Sequence, residues 1–304
     1  MCALIEVQDL TKAYGPVRAI DELCFCVQEG SLFAFLGPNG AGKSTTIEIL
    51  CTFLKPDAGE ALIAGHRLGR ENARIRQSIG AVFQEGLLDP LLTVEENLLC
   101  RGALYGQGGK PLRQACLRAL EEMHLADLRK RRYGNLSGGQ RRRADIARAL
   151  IHAPKVLFLD EPTTGLDPQT RRAVWEILLS LRQNTGMTLF LTTHYLEEAE
   201  QADNVIILDA GAIAASGSPE ALRRQYAGDH LTLSCTNPRA ASAFLREKDF
   251  SFRATGTSLR VNLSRTLDAL PLLQAMKGLY ESFGVASGTL EDAFLAITGK
   301  ELRE

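Results

Sequence analysis

The sequence lacks any long apolar run and any secretory leader. No stretch of its 304 residues approaches the roughly 18 consecutive apolar residues that a membrane-spanning helix needs. The first residues, MCALIEVQDLTKAYG, lack the basic and apolar segments of a signal peptide. We therefore expect a cytosolic chain that carries no membrane span of its own.

Paired cysteine motifs are absent too. The seven cysteines are an odd number, and none stands in Cys-x-x-Cys spacing. Reduced, packed thiols are the favoured interpretation, and a zinc site is a remote alternative. Cys24 and Cys26 share one face of the apolar stretch LCFCV, and we predict that both pack in the interior.

The sequence shows no strong charge imbalance. Lys and Arg number 35 against 36 Asp and Glu, a formal net charge of -1. This balance does not indicate nucleic acid as a partner, and none is expected. With 45% hydrophobic and 23% charged residues, the chain has a globular composition and the length of one large and one small domain. We predict the domains at residues 1–226 and 227–304.

Short apolar runs, separated by helical stretches, fill much of the larger predicted domain. Runs that are apolar throughout are typical of parallel strands buried on both faces of a sheet. Together they predict an α/β core. The runs are SLFAFLG (31–37), KVLFLD (155–160), GMTLFLTTH (186–194) and NVIILDAG (204–211).

The pattern changes from about His230 onwards. HLTLSC and SLRVNL alternate apolar and polar residues, and helical patterns cover 238–247 and 269–279. The order strand, helix, strand, strand, helix predicts a small α+β domain on the ferredoxin-like plan. Thr289 and Asp292 form a capping-box pattern that begins a last helix, LEDAFLAIT.

A glycine-rich loop follows the first of the predicted parallel strands. In GPNGAGKST, Gly37, Gly40 and Gly42 allow the backbone to curl so that its N–H groups point at phosphate oxygens. Lys43 adds a cation for the β and γ phosphates, and the Ser44 hydroxyl can ligate magnesium. The following stretch, TTIEILCTFL, has helical spacing, so strand, loop and helix come in the order that a phosphate-binding loop requires.

Two acidic residues end the run VLFLDEP. Asp160 follows a buried strand, which brings its carboxylate to the sheet edge where it can bind magnesium together with Ser44. Glu161 can orient the attacking water or accept its proton. Pro162 then ends the strand.

A second glycine-rich loop, LSGGQ at 136–140, begins another helical stretch. With the other motifs in their order along the chain, it resembles the ATP-binding subunits of ATP-binding-cassette (ABC) transporters over roughly residues 4–226. The resemblance implies a P-loop NTPase core with an antiparallel β subdomain and a helical subdomain, which binds ATP and Mg²⁺. The matching stretches are LTKAYG, GPNGAGKST, VFQEG, LSGGQ, VLFLDEP, GLD and LTTHYLEEAE.

The resemblance also implies roles for individual residues. Tyr14 would stack on adenine, Gln84 would reach magnesium or the attacking water, and His194 would hydrogen-bond the γ-phosphate. Asp167 would couple two sites and also begin a helix ahead of Pro168. The implied nucleotide contacts are Tyr14, Gly37, Pro38, Asn39, Gly40, Ala41, Gly42, Lys43, Ser44, Thr45, Ser137, Gly138, Gly139, Gln140 and Asp167; the magnesium contacts are Ser44, Gln84 and Asp160; the catalytic residues are Glu161, His194 and Gln84.

The family's head-to-tail pairing implies a use for the second loop. Ser137, Gly138 and Gly139 of one copy would cover the γ-phosphate of the ATP that the other copy holds. A second copy of the chain is therefore an expected partner. A pair with a related ATPase instead of a second copy stays open.

Three stretches together resemble the drug-resistance branch, the ATPases of daunorubicin-type and nodulation-factor-type exporters: LSGGQRRRADIARALIHAPKVLFLDEPTTGLDPQTRR, TTHYLEEAEQADNVIILDAGAIAASGSPEAL and the closing TLEDAFLAITG. That branch implies an integral membrane permease on a separate chain, a peripheral location at the cytoplasmic face of the membrane, and drug-like, lipid-like or glycolipid cargo. The segment EGLLDPLLTVEENLLCRGALYG (85–106) combines exposed leucines with an amphipathic helix. We predict that it contacts the permease.

Two other functions share part of this motif set. An ABC ATPase that acts on a soluble partner, such as the ribosome or DNA, remains the alternative, although the chain has a single cassette and no zinc-spaced cysteines. A small-molecule kinase would leave LSGGQ and His194 without a role.

Basic residues cluster beside the second loop, at 129–132 (RKRR) and 141–143 (RRR). Contact with anionic lipid or an acidic surface is one interpretation. We favour solvated helix faces, because helical spacing spreads three consecutive arginines around the helix.

Overall fold

A computed structural model describes residues 3–106 and 108–299 and divides the chain into two compact units. The first unit ends at Ser216 and the second begins at Gly217, earlier than the predicted boundary after residue 226. The difference arises because residues 219–227 pack against the last helix of the second unit. Within the described ranges, no helix is both long and apolar enough to cross a membrane.

The first unit contains two sheets and a group of helices. Its elements in chain order are β1 (Ala3–Tyr14), β2 (Val17–Gln28), β3 (Leu32–Leu36), α1 (Lys43–Leu50), β4 (Ala58–Ile63), β5 (His66–Arg67), α2 (Asn72–Ser78), β6 (Ile79–Val82), α3 (Val94–Ala103), α4 (Gly109–Glu122), α5 (Gly138–Leu150), β7 (Val156–Asp160), α6 (Pro168–Thr185), β8 (Thr188–Thr193), α7 (Leu196–Ala199), β9 (Asn204–Asp209) and β10 (Ala212–Gly217).

A six-stranded sheet of order β10-β9-β3-β8-β7-β6 forms the centre of this unit. The pairs β9–β3, β3–β8, β8–β7 and β7–β6 are parallel, and β3, β7 and β8 are buried along their whole length. The α/β core predicted from the apolar runs is therefore present. Because β3, β7 and β8 are neighbours in a parallel arrangement, the loops that follow them meet at one edge of the sheet.

The antiparallel sheet, of order β2-β1-β4-β5, packs on the same core. Phe25 of β2 stacks on Phe33 of β3 with ring centroids 5.7 Å apart. Phe158 and Phe190, on β7 and β8, extend this aromatic cluster at 5.1 Å. Burial of these rings supplies a large apolar contact between the two sheets.

Helices α3, α4 and α5 pack against one another and form the helical subdomain. A capping box begins α3, in which Thr93 accepts from the backbone N–H of Glu96 and the Glu96 side chain accepts from that of Thr93. Ser137 and Gln140 form the same arrangement at the start of α5. Both helix starts are thus fixed by local sequence.

The second unit is a ferredoxin-like domain with one strand that the sequence did not predict. Its sheet has the order β12-β13-β11-β14, and helices α9 and α10 contribute to its core with Leu245 and Leu272. The unpredicted strand is β14, which is exposed throughout. The elements are α8 (Pro219–Leu222), β11 (Asp229–Ser234), α9 (Pro238–Glu247), β12 (Phe252–Thr255), β13 (Ser258–Leu263), α10 (Ala269–Ala275), β14 (Ser282–Ala286) and α11 (Leu290–Thr298).

The cysteine prediction was wrong at two positions. Cys24 and Cys26 share a face of β2, as expected, but both are exposed, because Leu23 and Val27 take the buried face. Three other described thiols are buried and Cys100 is exposed; Cys2 lies outside the described residues.

Candidate functional site

The first glycine-rich loop joins β3 to α1. Gly40 and Gly42 adopt positive φ angles of 81° and 98°, a region that suits glycine. A Cβ on Gly42 would also lie 2.4 Å from the carbonyl oxygen of Ala19. The loop therefore needs glycine at residue 42 for two reasons, its backbone conformation and its close approach to the backbone of β2 at Ala19.

The ammonium group of Lys43 lies inside this loop. Its Nζ donates to the carbonyl oxygens of Gly37 at 2.7 Å and Pro38 at 3.0 Å, and it lies 4.0 Å from Oε1 of Glu161. Burial lowers the pKa of Lys43, while the charges of Glu161 and Asp160 oppose this shift. The buried ammonium group of Lys43 thus contacts both the phosphate loop and the residue that follows β7.

Ser44 and Asp160 lie together, as the sequence predicted. The Ser44 hydroxyl donates to Oδ1 of Asp160 at 3.1 Å, and the hydroxyl of Thr192 donates to the same oxygen at 2.5 Å. A hydroxyl and a carboxylate are the hard oxygen ligands that Mg²⁺ prefers, and Mg²⁺ commonly takes one or two carboxylates plus substrate phosphates. Residues 3–106 and 108–299 hold no cluster of three or more His, Cys, Asp or Glu suited to a metal, so this pair fits magnesium only when phosphate oxygens complete the site.

Glu161 is held in an uncommon backbone conformation. Its φ is 46°, in the left-handed region that non-glycine residues seldom adopt. Its backbone N–H donates to the hydroxyl of Thr192 at 3.1 Å, and the hydroxyl of Thr164 donates to its Oε2 at 3.1 Å. These contacts point the carboxylate toward the phosphate loop.

His194 follows β8 and meets Glu161. Its Nδ1 lies 3.3 Å from Oε1 of Glu161, and its ring packs on Tyr195 with centroids 4.1 Å apart. The guanidinium of Arg171 covers Tyr195 at 3.6 Å from the ring centroid, a cation–π contact that supports the ring. Two candidate catalytic residues from different strands are thereby brought together.

A pocket of about 390 Å³ brings residues of the phosphate loop together with two predicted site residues from elsewhere in the chain, Gln84 and Glu161. Gln84 and Glu161 line it together with the phosphate loop and Ser44, so these groups share one pocket. The lining residues are Ala19, Asn39, Gly40, Gly42, Lys43, Ser44, Thr45, Gln84 and Glu161.

The second glycine-rich loop lies elsewhere. Ser137, Gly139 and Gln140 line a different pocket, together with Gln169 and Thr170 of α6. No residue that lines this pocket also lines the phosphate pocket. Within one chain, the two loops therefore do not face the same space.

Two further predicted residues sit at the ends of elements. Asp167 caps α6 by accepting from the backbone N–H of Thr170 at 3.0 Å, and its hydrogen bonds with Thr170 lower its pKa. Tyr14 ends β1 with 51% of its surface exposed, and Lys12 Nζ lies 5.8 Å from its ring centroid. Tyr14 does not line the phosphate pocket.

The prediction that the RRR cluster is a solvated face was wrong for its middle residue. Arg142 is only 7% exposed. Its guanidinium donates to the carbonyl oxygens of Pro162 and Phe83, both at 2.5 Å. Arg141 is exposed and Arg143 half-buried, so three consecutive arginines do spread around the helix, but one of them points into the core.

Sequence reasoning also missed the hydroxyl groups that organise the carboxylates. Thr192 contacts both Asp160 and Glu161, and Thr164 contacts Glu161. The run LTTH places two threonines directly before His194. Hydroxyl residues at the end of a strand that neighbours an acidic strand end are a signal that could have revealed Thr192.

The chain matches known proteins along most of its length. A family model described as ABC transporter matches residues 20–164. The daunorubicin resistance ATP-binding protein DrrA2 of Streptomyces coeruleorubidus is 37% identical over 306 residues, which cover 97% of this chain and 95% of that protein. The chain is an ATP-binding subunit of the ABC transporter family. The Nod factor export ATP-binding protein I of Burkholderia orbicola is likewise 37% identical over 309 residues, 99% of each chain.

Solved ABC cassettes share its fold. An ATP-binding cassette solved as a dimer in a post-hydrolysis state with ADP and Pi has a TM-score of 0.64 and 30% identity, and covers 70% of this chain and 98% of its own. The cbiO1 subunit from Clostridium perfringens has a TM-score of 0.68 and 29% identity, over 73% of this chain and 91% of its own. These matches confirm the predicted ABC ATPase fold and its nucleotide-binding, ATP-hydrolysing activity.

Proposed function

We propose that two copies of this ABC subunit close head to tail on two ATP molecules and that this closure powers a permease on a separate chain. The observation that carries the pairing is the separation of the two glycine-rich loops. Ser137 and Gly139 line a different pocket from the one that Lys43 and Ser44 line. The second loop therefore meets a γ-phosphate only when another copy supplies it.

In this proposal the phosphate loop holds ATP and the strand ends perform hydrolysis. Backbone N–H groups of the loop and Lys43 bind the β and γ phosphates, and Ser44 and Asp160 hold magnesium with Gln84 nearby. A magnesium ion held by Ser44 and Asp160 would supply positive charge to neutralise the phosphate oxygens. Adenine stacks on Tyr14 of the antiparallel sheet.

Glu161 acts on the attacking water. Its Oε1, which lies 3.3 Å from His194 Nδ1, accepts the water proton as the new P–O bond forms and the bond to ADP breaks. His194 donates to the γ-phosphate and keeps the Glu161 carboxylate in place. Asp167 couples the two nucleotide sites across the dimer.

The proposed permease contact is an apolar groove between the core and the helical subdomain. Phe53, Leu87, Leu104 and Tyr105 border this groove, which has a volume of about 590 Å³. Leu104 is 77% exposed, and a cluster of exposed apolar side chains of this kind indicates a protein contact. Arg76 and Arg148 also line it, so we propose as its occupant a short amphipathic permease helix with an acidic residue.

Export is the proposed direction, because two relatives that match nearly the full chain are named for daunorubicin resistance and Nod factor export. Drug-like, lipid-like or glycolipid molecules are the proposed cargo class. The subunit then works peripherally, at the cytoplasmic face of the membrane, held there by the permease.

One purification tests the partner. The tagged subunit is isolated from its own cells in mild detergent with ATP, and co-purifying proteins are identified by mass spectrometry. A stoichiometric polytopic membrane protein is expected, and its yield should fall with Leu104→Asp but not with Leu91→Asp, a leucine 74% exposed in the same segment but outside the groove. Recovery of ribosomes, nucleic acid or soluble proteins alone would support the alternative, an ABC ATPase without a permease.

A further inference from the structure

Helix α5 carries three charged residues on one face. Arg142, Asp145 and Arg148 follow one another at intervals of three, which places them along one side of a helix. Arg142 and Asp145 are buried and Arg148 is half-buried. We call these three residues the α5 stripe. The helix that carries it begins at Gly138 in the second glycine-rich loop.

All three guanidinium nitrogens of Arg142 donate hydrogen bonds to backbone carbonyl oxygens of two segments that carry candidate catalytic residues. Besides Pro162 and Phe83, its Nη2 donates to the carbonyl oxygens of Asp160 and Glu161, both at 3.0 Å. Phe83 directly precedes Gln84. Hydrogen bonds from an ionised donor are about twice as strong as neutral ones, so one side chain fixes the backbone on both sides of the catalytic pocket.

Arg148 and Asp145 hold the rest of the segment around Gln84. Arg148 Nη2 donates to the carbonyl oxygen of Ala81 at 2.5 Å. Asp145 accepts from the hydroxyl of Tyr133 at 2.9 Å. A Cβ on Gly86 would lie 2.6 Å from that hydroxyl and 3.2 Å from Oδ2 of Asp145, so the backbone at Gly86 rests directly on this pair.

The opposite charges within the α5 stripe reduce the free-energy cost of burying these side chains. Burial raises the pKa of Asp145, while the hydrogen bond from Tyr133 and the charges of Arg148 and Arg142 lower it. Burial likewise lowers the pKa of both arginines, and Asp145 opposes the shift in each. A carboxylate between two guanidinium groups limits the cost of removing all three from water.

We propose that Arg142 is a positioning residue. It connects the second glycine-rich loop (LSGGQ, residues 136–140, hereafter the signature loop) of each copy to the catalytic strand end and the Gln84 segment of the same copy. In the head-to-tail pair, the signature loop at residues 137–139 serves the partner's ATP, whereas Glu161 acts on the copy's own ATP. When binding or hydrolysis of ATP at one site shifts α5, the shift therefore also moves the backbone at Glu161 and Gln84 in the other site. This cross-site link rests on the proposed head-to-tail pair; the intrachain tie does not.

The test compares Arg142→Gln with Arg141→Gln, the same change on an exposed neighbour. We expect Arg142→Gln to lower kcat by about a hundredfold, since a small misplacement of catalytic groups has effects of that size. KM for ATP should change less than threefold, because the phosphate loop and Lys43 are untouched. The Hill coefficient of hydrolysis should fall to 1, and Arg141→Gln should match the wild type in all three.

Hydrogen exchange supplies a second readout. Amides at residues 82–88 should exchange about tenfold faster in Arg142→Gln, while those of α1 (Lys43–Leu50) keep the wild-type rate. Should Arg142→Gln fail to fold, Arg142→Lys serves instead, because an ammonium lacks the planar fork that reaches two segments at once. The same losses, somewhat smaller, are expected.

Three results would overturn the proposal. An unchanged kcat in a folded Arg142→Lys or Arg142→Gln variant would show that the tie does not position the catalytic groups. A fall in kcat matched by an equal loss of ATP affinity and faster exchange throughout the chain would assign Arg142 a purely structural role. A Hill coefficient that stays above 1 in these variants would contradict the proposed coupling between the two sites. All assays use the purified full chain without permease, so failure of the permease purification does not decide them.

Discussion

The two glycine-rich loops of this subunit each begin a helix, yet their local structures differ. At the phosphate loop, Gly42 is the N-cap of α1 and offers no side-chain acceptor to the helix start. At the signature loop, Ser137 accepts from the backbone N–H of Gln140 at 3.3 Å, and the Gln140 side chain accepts from that of Ser137 at 3.0 Å. The first loop thus leaves its helix start without a side-chain cap, whereas the second is capped by its own residues.

Glycine also has a different purpose in the two loops. In the phosphate loop it permits positive φ angles and a close backbone approach. In the signature loop, a Cβ on Gly139 would lie 2.2 Å from Cγ2 of Thr170, whereas one on Gly138 would meet Leu166 at an ordinary 3.5 Å. Similar composition therefore does not mean a similar role for glycine: in one loop it permits the backbone conformation, and in the other it permits close packing of α5 on α6.

The largest expected effect distinguishes ATP hydrolysis from ATP-dependent dimer formation. Glu161→Gln removes the carboxylate that we propose accepts the water proton, and we expect kcat to fall by about 10² to 10⁴-fold, the usual contribution of a general base. ATP binding should persist and a dimer should accumulate, since both loops are intact. Phosphate release and light scattering measure the two quantities. Normal steady-state hydrolysis would remove Glu161 from its catalytic role.

The second prediction contrasts the two loops in the Glu161→Gln background. Lys43→Ala should weaken ATP binding to the monomer by about ten- to a hundredfold, as expected for the loss of hydrogen bonds to a charged group. Ser137→Arg should leave monomer binding unchanged and abolish the ATP-dependent dimer. Titration calorimetry and light scattering distinguish these outcomes. If Ser137→Arg weakened monomer binding as much as Lys43→Ala, the two loops would act on one ATP within a single chain.

The pattern of the sequence is sufficient for features that depend on neighbouring residues. Strand runs such as VLFLD and the capping box at Thr289 are local, and the structure contains them. The phosphate loop could be predicted for the same reason, since strand, loop and helix follow directly.

Features that depend on distant packing were not predictable. In LCFCV both faces of the strand are apolar, so alternation could not tell which face is buried, and Cys24 and Cys26 turned outward. Arg142 finds its acceptors 18 to 59 residues away in the chain, and no local pattern indicates which of three arginines faces them. The exposed strand β14, SFGVA, has only two large apolar residues, Phe283 and Val285, on either side of a glycine, and this alternation is too short to predict a strand.

A smaller effect concerns stability and sharpens the contrast between the signature glycines. Gly139→Ala should lower the free energy of unfolding by about 2 kcal/mol, the typical cost of overpacking, because its Cβ would overlap Thr170 on α6. Gly138→Ala should be neutral or slightly stabilising, since alanine favours a helix. Urea denaturation measures both variants. Equal stability of the two would mean that α5 and α6 separate at no cost, and adding Thr170→Ser to Gly139→Ala should recover part of the loss.

The smallest effect tests whether Tyr14 belongs to the phosphate-loop half of the site. Base–aromatic stacking contributes about 1 to 3 kcal/mol, and half of the Tyr14 surface is exposed, so the lower end applies. Tyr14→Ala should weaken ATP binding by about tenfold, and Tyr14→Phe, which keeps the ring, should bind as the wild type does. Binding of free triphosphate, which has no base, should be equal in all three. An equal loss for triphosphate would mean that Tyr14 supports the loop itself, because only a disturbed phosphate site weakens a ligand without adenine.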